Sequence, residues 1–270
     1  MESHRILAEI CMHHLRFPDI VNSRYCPSSV FETYAAKNWA AHFREAHNMI
    51  TEEQVYQAKQ LCDANSQRYK KWLDVFWRTQ SKKAPVGQDE SLFRGSPERF
   101  TTLMIISSLG LAKVLPLLLE EEVLDLNITD LTRRRSALSW ACFSGHEKIV
   151  EMLLRSATRR SCRGVLERSL DLDLFDIFGD TPLNIAAYRG HERILQLLRT
   201  GADPNSQDEY VGAPLAIAIK EGHERIVQQL LEKGANLNIQ TQVLSGNTPL
   251  TAAIKEKRER IVQQLLEKGC

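Results

Sequence analysis

Residues 181–205 read TPLNIAAYRGHERILQLLRTGADPN. Pro182 stands in a first helical turn, where the missing N–H would lack an intrahelical acceptor anyway, so proline starts a helix at little cost. Thr181 before it is a capping residue. The helix that follows carries small residues, Ala186 and Ala187, and runs into Gly190, which permits the left-handed helix end that turns a chain into the next element. HERILQLL then opens a second helix, and GADPN leaves it as a turn. One strand-free unit of two helices is therefore spelled out, and neither helix can bury its apolar face alone.

The unit recurs. A Leu followed seven residues later by Gly appears in TTLMIISSLG from Thr101, SALSWACFSG from Ser136, TPLNIAAYRG from Thr181 and GAPLAIAIKEG from Gly212. A fifth copy, TPLTAAIKEK from Thr248, has Lys257 in the Gly slot. The anchoring residues Leu103, Leu138, Leu183, Leu215 and Leu250 are separated by 35, 45, 32 and 35 positions. A period in this range is the mark of stacked repeats. Second-helix signatures follow each, among them HEKIVEMLLRS, HERIVQQLLEKGANLN and RERIVQQLLEKGC. In the fourth copy Ile226, Val227, Leu230 and Leu231 form a single apolar stripe.

These residues resemble the ankyrin repeat, which opens on Thr-Pro-Leu and proceeds through Ala-rich turns, Gly-His, Ile-Val and Leu-Leu to Gly-Ala-Asp-x-Asn. The resemblance covers residues 99–270 as five repeats beginning near 101, 136, 181, 212 and 248. It implies an all-α solenoid of helix-turn-helix units with short fingers. Two departures matter. The family's His after Thr-Pro-Leu is replaced by Asn184, Ala216 and Thr251, which puts a turn-bracing hydrogen bond in doubt. The last repeat reads KRER where its predecessor reads GHER, yet Ile261, Val262, Leu265 and Leu266 stay apolar. It is either a charged, imperfect cap or the cut end of a longer array.

Residues 1–77 form a separate helical region without the repeat. SHRILAEICMHHL places Ile6, Leu7, Ile10, Cys11 and Leu15 at helical spacing. PSSVFETYAAKNWAAHFREAH places Val30, Phe31, Tyr34, Ala35, Trp39 and Phe43 along one side. A third helical stretch from Thr51 is expected to break near Asn65. Residues 78–98, polar and interrupted by Pro and Gly, are expected to be a linker. HRILAEIC, FETYAAKNWAAHFREAH and YKKWL look like the helical segment that follows the nucleotide-binding module of fungal NACHT ATPases and leads there into ankyrin repeats. No G-x-x-x-x-G-K-[ST] is present and no Gly precedes a Lys, so that resemblance implies a short relative without its ATPase module.

Composition narrows the function. Lys and Arg number 35 against 34 Asp and Glu, so no overall field favours nucleic acid. The N-terminus has charges where a signal peptide needs an apolar core, and the apolar runs are too interrupted to span a membrane. Six scattered cysteines suit reduced thiols of the cytoplasm or nucleus. His146, His191 and His223 recur once per repeat after Gly, which points to a structural place at the inter-helix turn rather than to metal or catalysis. Cys11, His13 and His14 diverge around a helix and find no second cluster to complete a four-ligand site. Asp171, Asp173 and Asp176 lack the Gly and Glu spacing of a calcium loop and read as the approach to a finger. No cofactor, metal or catalytic residue is expected.

What remains is binding, expected at finger tips and at the exposed ends of first helices. The candidates are Phe143, Tyr188, Arg189, Lys220 and Glu221 on helices, with Phe178, Asp208, Glu209 and Tyr210 on fingers. The segment 155–170 is a basic insert that reads as a solvated loop or an extended second helix; the alternative is that its Arg159, Arg160 and Arg163 join Arg133, Arg134 and Arg135 in an exposed basic patch fit for nuclear targeting. The expected function is a non-enzymatic adaptor for protein partners, such as a transcriptional co-regulator holding a transcription factor without touching DNA or membrane. The alternative is a truncated NACHT/ankyrin-type signalling or immunity sensor.

Overall fold

The structure, a computed structural model, describes residues 1–16, 28–80, 99–121, 124–158, 170–206, 212–239 and 247–269. Among these the chain is all helical: fourteen α-helices, one 3-10 turn, and a single isolated bridge between Thr129 and Ser136. Two compact units divide it, one of residues 1–123 and 130–132, the other of residues 124–129 and 133–270.

The first unit holds α1 (Glu2–Arg16), α2 (Ser28–Ala46), α3 (Glu52–Leu61), α4 (Gln67–Gln80), α5 (Thr102–Leu109) and α6 (Leu115–Glu121). Thr51 and Gln54 close a reciprocal capping box on α3. Asp63 accepts from the Asn65 N–H in the turn that ends α3, at the expected break. The buried face of α1 is Ala8, Cys11, Met12 and Leu15, spaced i, i+3, i+4 and i+7. Ile6 and Ile10 lie outside that face and are exposed, as are Val30 and Tyr34 of α2, so the expected apolar stripes were drawn too wide. At the centre Trp39 and Trp72 meet edge to face at 5.6 Å, and the Trp72 indole N–H donates to the Leu61 carbonyl at 2.9 Å. Arg44 donates to the Leu109 carbonyl and Thr102 accepts from the Ala64 N–H, which ties α5 to the preceding helices. The helix pair α5–α6, the degenerate first copy, thus belongs to this unit. The boundary between units falls after Val123, whereas residues 81–98 of the expected linker lie outside the described residues and Arg78–Gln80 are still α4.

The second unit stacks four helix pairs: α7 (Ala137–Ser144) with α8 (Glu147–Thr158), α9 (Pro182–Arg189) with α10 (Glu192–Leu198), α11 (Pro214–Glu221) with α12 (Glu224–Glu232), and α13 (Pro249–Lys255) with α14 (Glu259–Glu267). First helices neighbour first helices and second helices neighbour second helices. Ser136, Thr181 and Thr248 cap their helices, each accepting from the N–H three residues on. Ile226, Val227 and Leu230 are fully buried and Leu231 nearly so.

Two ladders tie the pairs together. In the turns, an Asx motif recurs at Asp125, Asp171, Asp203 and Asn236, each accepting from the N–H two residues later. The side chain at that second position then accepts from the next repeat: Asn127 from the Asp171 N–H at 2.8 Å, Asp173 from Asp203 at 3.2 Å, Asn205 from Asn236 at 2.8 Å. The acids of DLDLFD are therefore rungs, Asp171 and Asp173, followed by a finger residue, Asp176. On the second helices Arg225 pairs with Glu192 at 3.3 Å and Arg260 with Glu224 at 3.2 Å; these exposed pairs contribute little. Asn184, standing where a His was missing, is buried and donates to the Gly212 carbonyl of the next repeat at 3.3 Å. A bond between repeats is kept there by a different side chain.

Candidate functional site

The C-terminal ends of α7, α9 and α11 present equivalent pairs just before each turn: Phe143 and Ser144, Tyr188 and Arg189, Lys220 and Glu221. The backbones of the first two pairs are held by the following repeat. The His191 side chain hydrogen-bonds the Phe143 backbone, and His223 Nε2 lies 3.3 Å from the Tyr188 carbonyl. Each imidazole also fills the space beside the glycine before it, Gly145 and Gly190 respectively. The histidines thus hold the turns, as their once-per-repeat spacing implies.

Around Phe143 the side chains form a stack of aromatic rings and guanidinium groups. Trp140 meets Phe143 edge to face at 5.9 Å. The Arg133 and Arg135 guanidiniums lie 5.3 and 5.4 Å from the Trp140 ring. Arg135 is 4.4 Å and Arg189 3.9 Å from the Phe143 ring, within the range of cation–π attraction. Asp176 anchors the stack: its Oδ2 accepts from Arg135 Nε at 2.8 Å, both side chains being almost wholly buried. Its Oδ1 accepts from the N–H groups of Phe178 and Asp180, so one carboxylate both neutralises Arg135 and shapes the finger 176–180. Phe178 is half-buried in that finger.

The expected exposed run Arg133–Arg135 does not hold for its two outer members. Arg133 is 0% and Arg135 2% exposed, because Trp140 and Asp176 draw them inward; Arg134 alone is exposed. Arg159, Arg160 and Arg163 lie outside the described residues, as do Asp208, Glu209 and Tyr210. Arg155 of α8 pairs with Glu151 at 2.7 Å. Of the helical candidates, Phe143, Tyr188 and Arg189 are half-buried and fall on adjacent repeats, with Lys220 and Glu221 exposed one repeat further on. Sequence reasoning missed Arg135 and Asp176 as parts of this site; the turn chemistry of DIFGD, an Asp three residues before Gly, was the available signal.

Elsewhere, among the described residues, no three His, Cys, Asp or Glu side chains gather as metal ligands. Burial pushes the Cys11 thiol up to about 11 and raises those of Cys62 and Cys142, so these thiols stay protonated near neutral pH and are weak nucleophiles there. His42 lies 2.8 Å from the Tyr34 hydroxyl and 3.0 Å from His4 Nδ1, and desolvation, then the His4 charge, lowers its pKa. No described helix is long and apolar enough to cross a membrane.

Stacked helix pairs with laddered turns and variable side chains at the helix ends define a helical-repeat protein. The chain belongs to the ankyrin-repeat family: the model of ankyrin repeats matches it in three copies, over residues 103–208, 158–241 and 183–270. No curated protein matches, so the NACHT resemblance of the N-terminal helices gains no support there. Ankyrin repeats support a role in protein–protein interaction, and no catalytic family is indicated.

Proposed function

We propose that this chain is a non-enzymatic adaptor, a transcriptional co-regulator that acts by holding a DNA-binding protein partner in the cytoplasm, the nucleus or both. The observation that carries the reading is the contrast within the second unit. Its core and turns repeat closely, whereas the equivalent helix-end positions carry Phe143, Tyr188 and Lys220, then Ser144, Arg189 and Glu221. A repeated frame with differing side chains at one edge is what selective binding requires, and Tyr and Arg carry much of the energy of such contacts once desolvated. The balance of 35 basic and 34 acidic residues gives no overall field for direct binding of nucleic acid, so DNA would be reached through the partner in this reading.

Proximity labelling with the full chain in its native cells tests this. Enrichment of a transcription factor in nuclear fractions is the expected outcome. Labelling no different from a tag-only control would end the adaptor reading, and enrichment of NACHT ATPases instead would move it to the sensor class.

A further inference from the structure

Phe143 carries two guanidinium groups, and among the described residues a carboxylate pairs with one of them, Arg135. Asp176 is committed, one oxygen to Arg135 and the other to the finger turn. No described carboxylate forms an ion pair with Arg189, and its Nε is buried without a hydrogen-bond partner among the described residues. Desolvation, then the neighbouring Arg135 charge, lowers the Arg189 pKa. An arginine does not shed its proton near neutral pH, so Arg189 remains a cation there.

We propose that Arg189, seated on Phe143 beside an Arg135 already neutralised by Asp176, anchors a carboxylate side chain of an acidic segment on the partner protein. The planar fork of a guanidinium matches a carboxylate through two parallel hydrogen bonds, and an aromatic surface beneath keeps the fork flat and partly dry. Of the two cations over the ring, Arg135 is already neutralised by Asp176, and the one left, Arg189, suits a single Asp or Glu side chain. A nucleic-acid backbone would need a row of cations; Arg133 and Arg135 are buried, and Glu221 stands beside Lys220 at the next equivalent position. The proposal rests on the adaptor reading and adds the chemistry of what is held.

Fluorescence anisotropy with the full chain tests it, using a labelled peptide in which six glutamates alternate with serine, its glutamine counterpart, and a six-thymidine oligonucleotide. The glutamate peptide is expected to bind, more weakly as salt rises. Arg189→Gln should reduce that affinity at least tenfold. Arg189→Lys, which keeps the charge and loses the fork, should reduce it at least threefold. Arg193→Gln, removing an exposed cation on α10, should change it less than twofold. Circular dichroism establishes that each variant is folded; if Arg189→Gln is not, the lysine variant decides. Equal binding by wild type and either Arg189 variant, equal binding of the glutamine peptide, tighter binding of the oligonucleotide, or no binding of the glutamate peptide each overturns the proposal. If proximity labelling of Arg189→Gln still matches wild type and exceeds the tag control, the adaptor reading stands and the anchor falls.

Discussion

The imidazole of His223 occupies the space a side chain on Gly190 would need: a Cβ there would lie 2.8 Å from His223 Cε1. Gly190 also sits at φ 74°, in the left-handed region. The glycine therefore serves its own turn and the next repeat's histidine at once. Gly190→Ala should cost about 1–3 kcal/mol in urea denaturation. Paired with His223→Ala it should cost less than the two single changes summed, because removing the ring relieves the clash. Strict additivity would show that the ring and the glycine are not coupled.

His191 makes the same contact one repeat earlier, beside Gly145. Burial, then the Arg189 charge, holds its pKa below the ordinary value of 6.5. As pH falls from that value through the lowered one, the unfolded state binds the proton more readily, so stability is lost; above pH 6.5 it is fully present. His42 shifts in the same direction. Denaturation midpoints should fall between pH 7 and 5, and less so in His191→Gln. Identical slopes in the two proteins would refute the assignment.

Asp176→Asn keeps an acceptor for the finger N–H groups and removes the charge facing buried Arg135. It should destabilise by about 3–5 kcal/mol, the cost of an uncompensated buried cation. A loss below about 1 kcal/mol in guanidinium denaturation, the range of surface pairs, would place the pair at the surface instead.

The nonapeptide ERIVQQLLE occurs as both α12 and α14. Leu231 is 8% exposed in the first and its counterpart Leu266 is 55% exposed in the second. Leu231→Ala should cost about 2–5 kcal/mol and Leu266→Ala under about 0.5 kcal/mol. Equal losses measured by chemical denaturation would mean that local sequence, not the adjoining repeat, decides burial.

Much of the second unit was legible because repetition multiplies weak signals. A capping Ser or Thr at Ser136, Thr181 and Thr248, a first-turn Pro at Pro182, Pro214 and Pro249, and a Gly seven residues past a Leu at Gly110, Gly145, Gly190 and Gly222 persuade because each recurs. Pairings between repeats were hidden, since Arg135 and Asp176 stand 41 positions apart. A run of three arginines looks like solvent-facing charge until Trp140 and that aspartate are placed beside it. The same limit applies to Ile6, Ile10 and Tyr34, whose helical spacing said nothing of which neighbour would cover them. The departure at Asn184 looked like a lost bond because the Gly212 carbonyl that it meets belongs to another repeat.

The rung from Asn127 to Asp171 is made across the widest interval in the array. Register there is set by one bond between turns 44 positions apart in sequence, so the two repeats are keyed to each other through their turns.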